Sequence, residues 1–196
     1  MKIFRTILVV CFLVISCQTV TKNSIEVTNQ EELSKAIENA IAGDEIVMQN
    51  GVWTDVQIKF SGEGTEENPI VLRAETPGEV FIEGRSNLQL GGEFLIVEGL
   101  FFRNGYTPSK NVIAFRITED QLANNCRVTN CVILDFNQLQ RDKDDLWVQF
   151  YGRYNQLDHC YIAGKTNRGP TVRVDLKGNQ SIRNYHKIVN NHFGPR

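Results

Sequence analysis

The sequence is poor in the residues that build metal centres and disulfide scaffolds. It has 5 cysteines and 3 histidines in 196 residues, with 5 prolines, 2 methionines and 2 tryptophans. Cys126, Cys131 and Cys160 fit no zinc-ligand spacing, and as an odd set they do not describe a disulfide framework. His159, His186 and His192 occur at no helical or hairpin metal-binding spacing. Charge of one sign is also lacking. A formal charge of −2 argues against wholesale nucleic-acid binding, so any electrostatic role must come from local clustering. No nucleophile is paired with a base, and Gly164-Lys165-Thr166 lacks the preceding glycine and following helix of a phosphate loop.

The longest apolar run, Ile7 to Ile15, is too short for a mature membrane span and follows Lys2 and Arg5, which together read as an export leader. Val14-Ile15-Ser16-Cys17 resembles the lipobox of bacterial lipoproteins. The expected organisation is therefore a signal peptide over 1–16, a lipidated Cys17 with a polar tether over 17–24, and a folded part over 25–196. The only membrane contact expected is the lipid on Cys17, which would place the chain in the bacterial envelope facing the periplasm or on the cell surface.

In the folded part, Thr28-Asn29-Gln30-Glu31 reads as a capping box opening a helix over Thr28 to Ala42. Leu33, Ala36, Ile37 and Ala40 give that helix one apolar face, and Gly43 stops it. Short β-rich runs follow at Glu45 to Met48, Val56 to Phe60, Ile70 to Ala74 and Val80 to Glu83, separated by turn clusters and with no second helix.

A repeat then emerges. Val97-Glu98-Gly99-Leu100-Phe101-Phe102, Val128-Thr129-Asn130-Cys131-Val132-Ile133, Leu157-Asp158-His159-Cys160-Tyr161-Ile162 and Ile188-Val189-Asn190-Asn191-His192-Phe193 share one pattern, with starts 31, 29 and 31 residues apart. A constant period without helical crossovers excludes a βαβ array and fits a solenoid whose coils stack at about 4.8 Å. The fold class expected is all-β, a parallel β-helix with a short N-terminal capping helix. Val97, Val128, Leu157 and Ile188 should form one inward stack, and Phe102, Ile133, Ile162 and Phe193 another. Cys131 and Cys160 should be small buried thiols in a third column, which Asn191 could continue as the start of an asparagine ladder; His159 and His192 should face outward. The chain stops directly after a strand signal, without a cap, and so reads as truncated at its C-terminal end.

From Lys165 onward, Lys165, Arg168, Arg173, Lys177, Arg183, Lys187 and Arg196 stand against the single acid Asp175. Cations repeated on neighbouring coils suit a polyanion, although solvated basic loops would give the same count. The segment Arg141-Asp142-Lys143-Asp144-Asp145 reads as a solvated turn rather than a calcium loop.

The succession Gly43-Asp44-Glu45-Ile46-Val47, Asn50-Gly51-Val52-Trp53, Gly62-Glu63-Gly64-Thr65, Pro69-Ile70 and Ala74-Glu75-Thr76-Pro77-Gly78 resembles polysaccharide lyase family 6, which contains alginate lyases and chondroitinase B. Trp147 to Gly152, Gly164 to Gly169 and Asn191-His192-Phe193-Gly194-Pro195-Arg196 continue the likeness across nearly all of the folded part. The resemblance implies a right-handed parallel β-helix and an acidic polysaccharide as partner, alginate first and dermatan or chondroitin sulfate second. It also implies a calcium ion that neutralises the uronate carboxylate while a lysine takes the C5 proton and β-elimination follows. The metal ligands and the catalytic lysine are expected beyond Arg196, so that this stretch alone should be inactive. The positions carried over are substrate contacts at Lys165, Arg168 and Arg173, with Arg196 as a further one. A non-catalytic β-helix, for glycan binding or structure, is the alternative; a pectin-type hydrolase would need clustered aspartates, which are missing.

Overall fold

The structure, a computed structural model, describes residues 23–176, 181 and 183–195. Cys17 and the leader lie outside these residues, as does all of the tether but its last two residues. Strand β1 (Ser24–Val27) and helix α1 (Gln30–Asn39) open the described chain, so that Ser24, assigned above to the tether, is already strand. Turns of three strands follow: β2 (Glu45–Met48), β3 (Gly51–Thr54) and β4 (Gln57–Glu63), then β5 (Ile70–Ala74), β6 (Val80–Arg85) and β7 (Asn87–Glu93). The third turn has β8 (Leu95–Glu98), β9 (Leu100–Tyr106) and β10 (Asn111–Ala114), with the short β11 (Ala123–Asn124). The fourth has β12 (Arg127–Thr129), β13 (Val132–Leu134) and β14 (Leu146–Phe150); the fifth has β15 (Gln156–Asp158), β16 (Tyr161–Ala163) and β17 (Val172–Val174). Strands β18 (Lys187–Val189) and β19 (His192–Phe193) begin another.

Equivalent strands of successive turns pair in parallel, which produces three sheets running along one axis. The first is β1-β2-β5-β8-β12-β15-β18, the second β3-β6-β9-β13-β16-β19, and the third β4-β7-β10-β14-β17 with β11 beside β7. This is the expected parallel β-solenoid. The two expected stacks are in register: Val97 opposes Val128, which opposes Leu157, and Leu157 opposes Ile188; Phe102, Ile133, Ile162 and Phe193 align likewise, but Ile188 and Phe193, on the last strands described, are exposed rather than inward. Because side chains alternate at each strand position, one register fixes one buried column, and a slip of one residue would turn every column outward. The register also extends further back than the sequence pattern shows. Ile25, Ile46 and Leu72 continue the first stack ahead of Val97, so the earlier steps are 21, 26 and 25 residues.

The corners differ as well, while the extra length of the fourth and fifth coils lies in the connectors 135–145 and 164–171. From the third coil onward the first sheet passes to the second through a single residue with left-handed backbone: Gly99 (φ 80), Asn130 (φ 52), His159 (φ 54) and Asn190 (φ 55). Asparagine and glycine suit such positions because the left-handed region costs other residues more. The return from the third sheet to the first uses a second left-handed column, Phe94, Asn125, Tyr154 and Tyr185.

Helix α1 starts one residue later than the expected box and is shorter at both ends. Asn29, not Thr28, is the N-cap: its Oδ1 accepts from the Glu32 amide at 3.0 Å, while the Glu32 carboxylate accepts from the Thr28 amide and hydroxyl at 2.8 Å. Asparagine caps at least as well as threonine, so the reciprocal pair moves by one position. Glu32 is held below the usual carboxylate range by these bonds from Thr28. Leu33, Ala36 and Ile37 are buried, and the helix packs on β1, β2 and β4, covering the open end of the solenoid as expected. It ends at Asn39 because Ala40 turns extended, ahead of Gly43 (φ 95).

Cys126, Cys131 and Cys160 are free, buried thiols. Burial pushes Cys126 up to about 12, and the Cys160 thiol together with burial raises Cys131, so neither supplies a ready thiolate. Asn191 does extend the cysteine column: its Oδ1 accepts from the Cys160 amide and its Nδ2 donates to the Leu157 carbonyl, each at 2.9 Å. Asn155 does the same one corner away, accepting from the Cys126 amide at 2.9 Å and donating to the Ala123 and Tyr151 carbonyls. Each amide thus satisfies backbone groups of the coil before it, which would otherwise be buried unpaired.

Candidate substrate-binding face

The connector 135–145, after β13, and the connector 164–171, after β16, lie on adjacent coils between the second and third sheets. Gly164 (φ 81) turns the chain out of β16 where an added Cβ would stand 2.0 Å from Asp135 Oδ1, so glycine is required there. Asn137 then ties the connectors together, donating to the Gly164 carbonyl at 2.7 Å and accepting from the Thr166 amide at 2.8 Å.

Lys165 is the centre of this lacing, and it does not face solvent. Only 2% of its side chain is exposed; the ammonium donates to Asp145 Oδ1 at 2.8 Å, to Asn167 Oδ1 at 3.1 Å, and reaches the Asn167 and Arg168 carbonyls at 3.2 Å. Asn167 Nδ2 donates to the same Asp145 oxygen at 2.7 Å. Two expectations are corrected by this pair. Asp145 is fully buried rather than part of a solvated turn, and Lys165 is committed to holding two connectors together rather than presented to a ligand. The physical reason is desolvation: a buried ammonium is tolerated only where several acceptors surround it, and here the adjacent coil supplies them.

Arg168 stands on the same connector with its backbone held by Arg141 and Asp145 and its side chain 71% exposed, 3.5 Å from Asp144. An exposed pair of this kind contributes little, so the guanidinium is free to exchange partners. Arg173 is on β17, opposite Gln149 of β14. Its Nη2 donates to Asp175 Oδ2 at 3.1 Å, the oxygen that also accepts from Gln149 Nε2, and its Nε is buried without a partner among the described residues. The buried Tyr151 hydroxyl is raised by burial against the pull of Arg116 and Arg173. The Arg116 guanidinium lies 3.8 Å over the Tyr151 ring, a cation–π contact. Register therefore gathers Arg116, Gln149, Tyr151, Arg173 and Asp175 from three coils. Arg116 and Tyr151 were not legible as site residues, because the connectors between them and Arg173 differ in length and leave no constant spacing. Arg196 and Lys177 lie outside the described residues.

This face offers guanidinium groups and hydrogen-bond donors suited to carboxylates. Among the described residues no group of three or more His, Cys, Asp or Glu side chains could hold a metal ion, so these residues do not fit a calcium site. No helix among them is long and apolar enough to cross a membrane.

The fold is a parallel β-solenoid with an arginine-bearing flank beside laced connectors. The chondroitinase B family model matches residues 27–196, and the chain belongs to that family. It is similar to the family 6 alginate lyase AlyGC, at 45% identity and a TM-score of 0.82, covering 84% of this chain and 23% of that one. It is also similar to a family 6 polysaccharide lyase from Pseudopedobacter saltans, at 37% identity and a TM-score of 0.75 over 84% of this chain and 36% of that one. A mannuronic acid specific family 6 lyase from human gut microbiota matches at 31% identity and a TM-score of 0.72, over 78% of this chain and 36% of that one. No curated protein sequence matches. The chain thus spans about a quarter to a third of the solved structures it resembles.

Proposed function

We propose that this chain forms the N-terminal coils of a lyase that cleaves a uronate-containing polysaccharide, alginate before dermatan or chondroitin sulfate, by β-elimination. The observation that carries the reading is family membership over 27–196 together with 45% identity to an alginate lyase. In this reading the described coils bind and orient the polyanion: exposed Arg168 and half-exposed Arg173 meet sugar carboxylates, and the buried Lys165–Asp145 pair fixes the connectors that carry them. The proton-abstracting lysine and the calcium ligands belong to later coils of the family's β-helix, outside this stretch. A calcium ion held there would supply positive charge to the uronate carboxylate and so ease removal of the C5 proton.

The test is product formation by the complete protein with calcium on alginate, dermatan sulfate and chondroitin sulfate. Unsaturated, ultraviolet-absorbing uronate ends are expected; silence on all three polymers contradicts the reading. The leader supports a further part of the proposal, export and anchoring through lipid on Cys17. Cys17→Ala should release the protein from membranes, and an unchanged membrane fraction would exclude the anchor.

A further inference from the structure

The left-handed column at the return corner is aromatic except at one rung. Phe94 and Tyr154 flank Asn125, and beyond Tyr154 the ring of Tyr185 stacks at 5.4 Å and 6°. Neighbouring coils are about 4.8 Å apart, so stacked rings fill successive rungs, while the small Asn125 leaves Phe94 and Tyr154 about 10 Å apart with a gap between. The gap is a cavity of about 180 Å³, lined also by Arg127, Gln156 and Glu66. It lies at the corner between the third and first sheets, away from the connectors that carry Arg168 and Lys165.

The lining is specific in kind. Two aromatic residues one rung either side of a gap give the separation needed to sandwich one pyranose ring, whose C–H faces stack on aromatic rings. Tyr154 is half exposed, so the gap opens to solvent. Arg127 spends Nε on Asp158 at 2.8 Å and directs Nη2 to Asp158 and Thr129, while Nη1 makes no hydrogen bond among the described residues. Its side chain is 40% exposed. Asp158 therefore holds the guanidinium in place and leaves one edge of it to meet a carboxylate. The Gln156 amide and the Glu66 carboxylate suit sugar hydroxyls, and the negative charge of Glu66 makes Arg127 the preferred end for the anion. Asn125 spends its Nδ2 on Glu93 at 2.9 Å, which fixes the floor.

We propose that this gap is a second glycan site, separate from the lyase face, that takes a single uronate residue of an acidic polysaccharide between Phe94 and Tyr154 with its carboxylate on Arg127. The ligand class rests on the function proposed above; the geometry of the gap does not. Such a site would keep the polymer attached to the solenoid between cleavage events, an avidity effect rather than a chemical one.

The test uses the complete protein and compares wild type with Tyr154→Asn, which copies the Asn125 rung and tolerates the left-handed backbone, and with Arg127→Lys, which keeps a cation beside Asp158. Retention in alginate-containing gels and saturation-transfer NMR with a saturated alginate trimer are the binding readouts; unsaturated ends from long alginate and from the trimer are the activity readouts. Expected are an approximately tenfold loss of retention in both variants and a saturation transfer weakened to what the lyase site alone gives, with initial rates on the trimer unchanged. Wild-type retention and saturation transfer in both variants overturn the site, as does equal binding of a neutral cello-oligosaccharide. Turnover without gap-dependent retention refutes the gap and leaves the lyase reading intact. Gap-dependent retention without turnover of any uronate polymer supports the gap and refutes the lyase reading.

Discussion

The first two coils and the last two are built on the same register but filled differently. Along the return corner the inward column runs from Ile70 and Leu95 to Cys126, Asn155 and His186; along the opposite corner it runs from Val80 and Leu100 to Cys131, Cys160 and Asn191. Both change from aliphatic to thiol to amide in the same direction. The spare residues move as well. In the second coil they sit in Glu75 to Glu79, between the first and second sheets, whereas in the fourth and fifth they sit in 135–145 and 164–171, between the second and third. In these two columns the early coils are filled by aliphatic side chains stabilised by burial, which need no particular partner at each rung. The later coils depend on specific polar bonds across rungs and carry the connectors that bear the exposed arginines. Specificity of structure and candidate function increase together along the axis.

That contrast can be broken most directly at Lys165. Replacing it with alanine leaves Asp145 charged and buried, and should cost about 3–5 kcal/mol in denaturant unfolding. The neighbouring exposed Arg168→Ala should stay within about 0.5 kcal/mol. Equal small effects would return Lys165 to the surface. Asn155→Ala should cost about 2–3 kcal/mol, because it strands the Cys126 amide and two carbonyls at once. A loss under about 1 kcal/mol would show that the amide column is not what holds the later coils.

Acid should separate the regions next. Burial alone would raise the Asp158 carboxyl, but hydrogen bonds from Arg127 and His159 outweigh it and draw the group down to about 2. A carboxyl lowered on folding contributes stability above its unfolded value near 4, and that contribution is lost as pH falls toward 2. The loss should be about 2 kcal/mol between those limits, removed in Asp158→Asn. An unchanged acid profile in that variant would place the acid-labile groups elsewhere.

The repeat in the later coils was legible because a single-residue corner keeps Val97, Val128, Leu157 and Ile188 in phase with their following strands. The early coils obey the same register, but the five residues Glu75 to Glu79 between β5 and β6 push the second strand out of phase with the template. The capping box was read one residue early because Thr28 and Asn29 are both competent caps, and only backbone geometry chooses between them. Asp145 reads as part of a solvated turn and Lys165 as a substrate contact because both lie in polar, turn-rich segments; their burial arises from two connectors on adjacent coils closing over each other, which no local pattern encodes. Arg116 and Tyr151 escaped notice for the related reason that register, not spacing, brings them to Arg173.

The central claim, that the later coils form the face that binds the acidic polysaccharide, is tested most directly by steady-state kinetics of Arg173→Ala in the complete protein on alginate. The Asp175 carboxylate keeps its hydrogen bond from Gln149 and part of its solvent contact, so folding should be little affected. The account predicts a KM raised about tenfold, the loss of one charge-assisted contact, with kcat within a factor of about two. A KM equal to that of wild type, in a variant of unchanged stability, would contradict it.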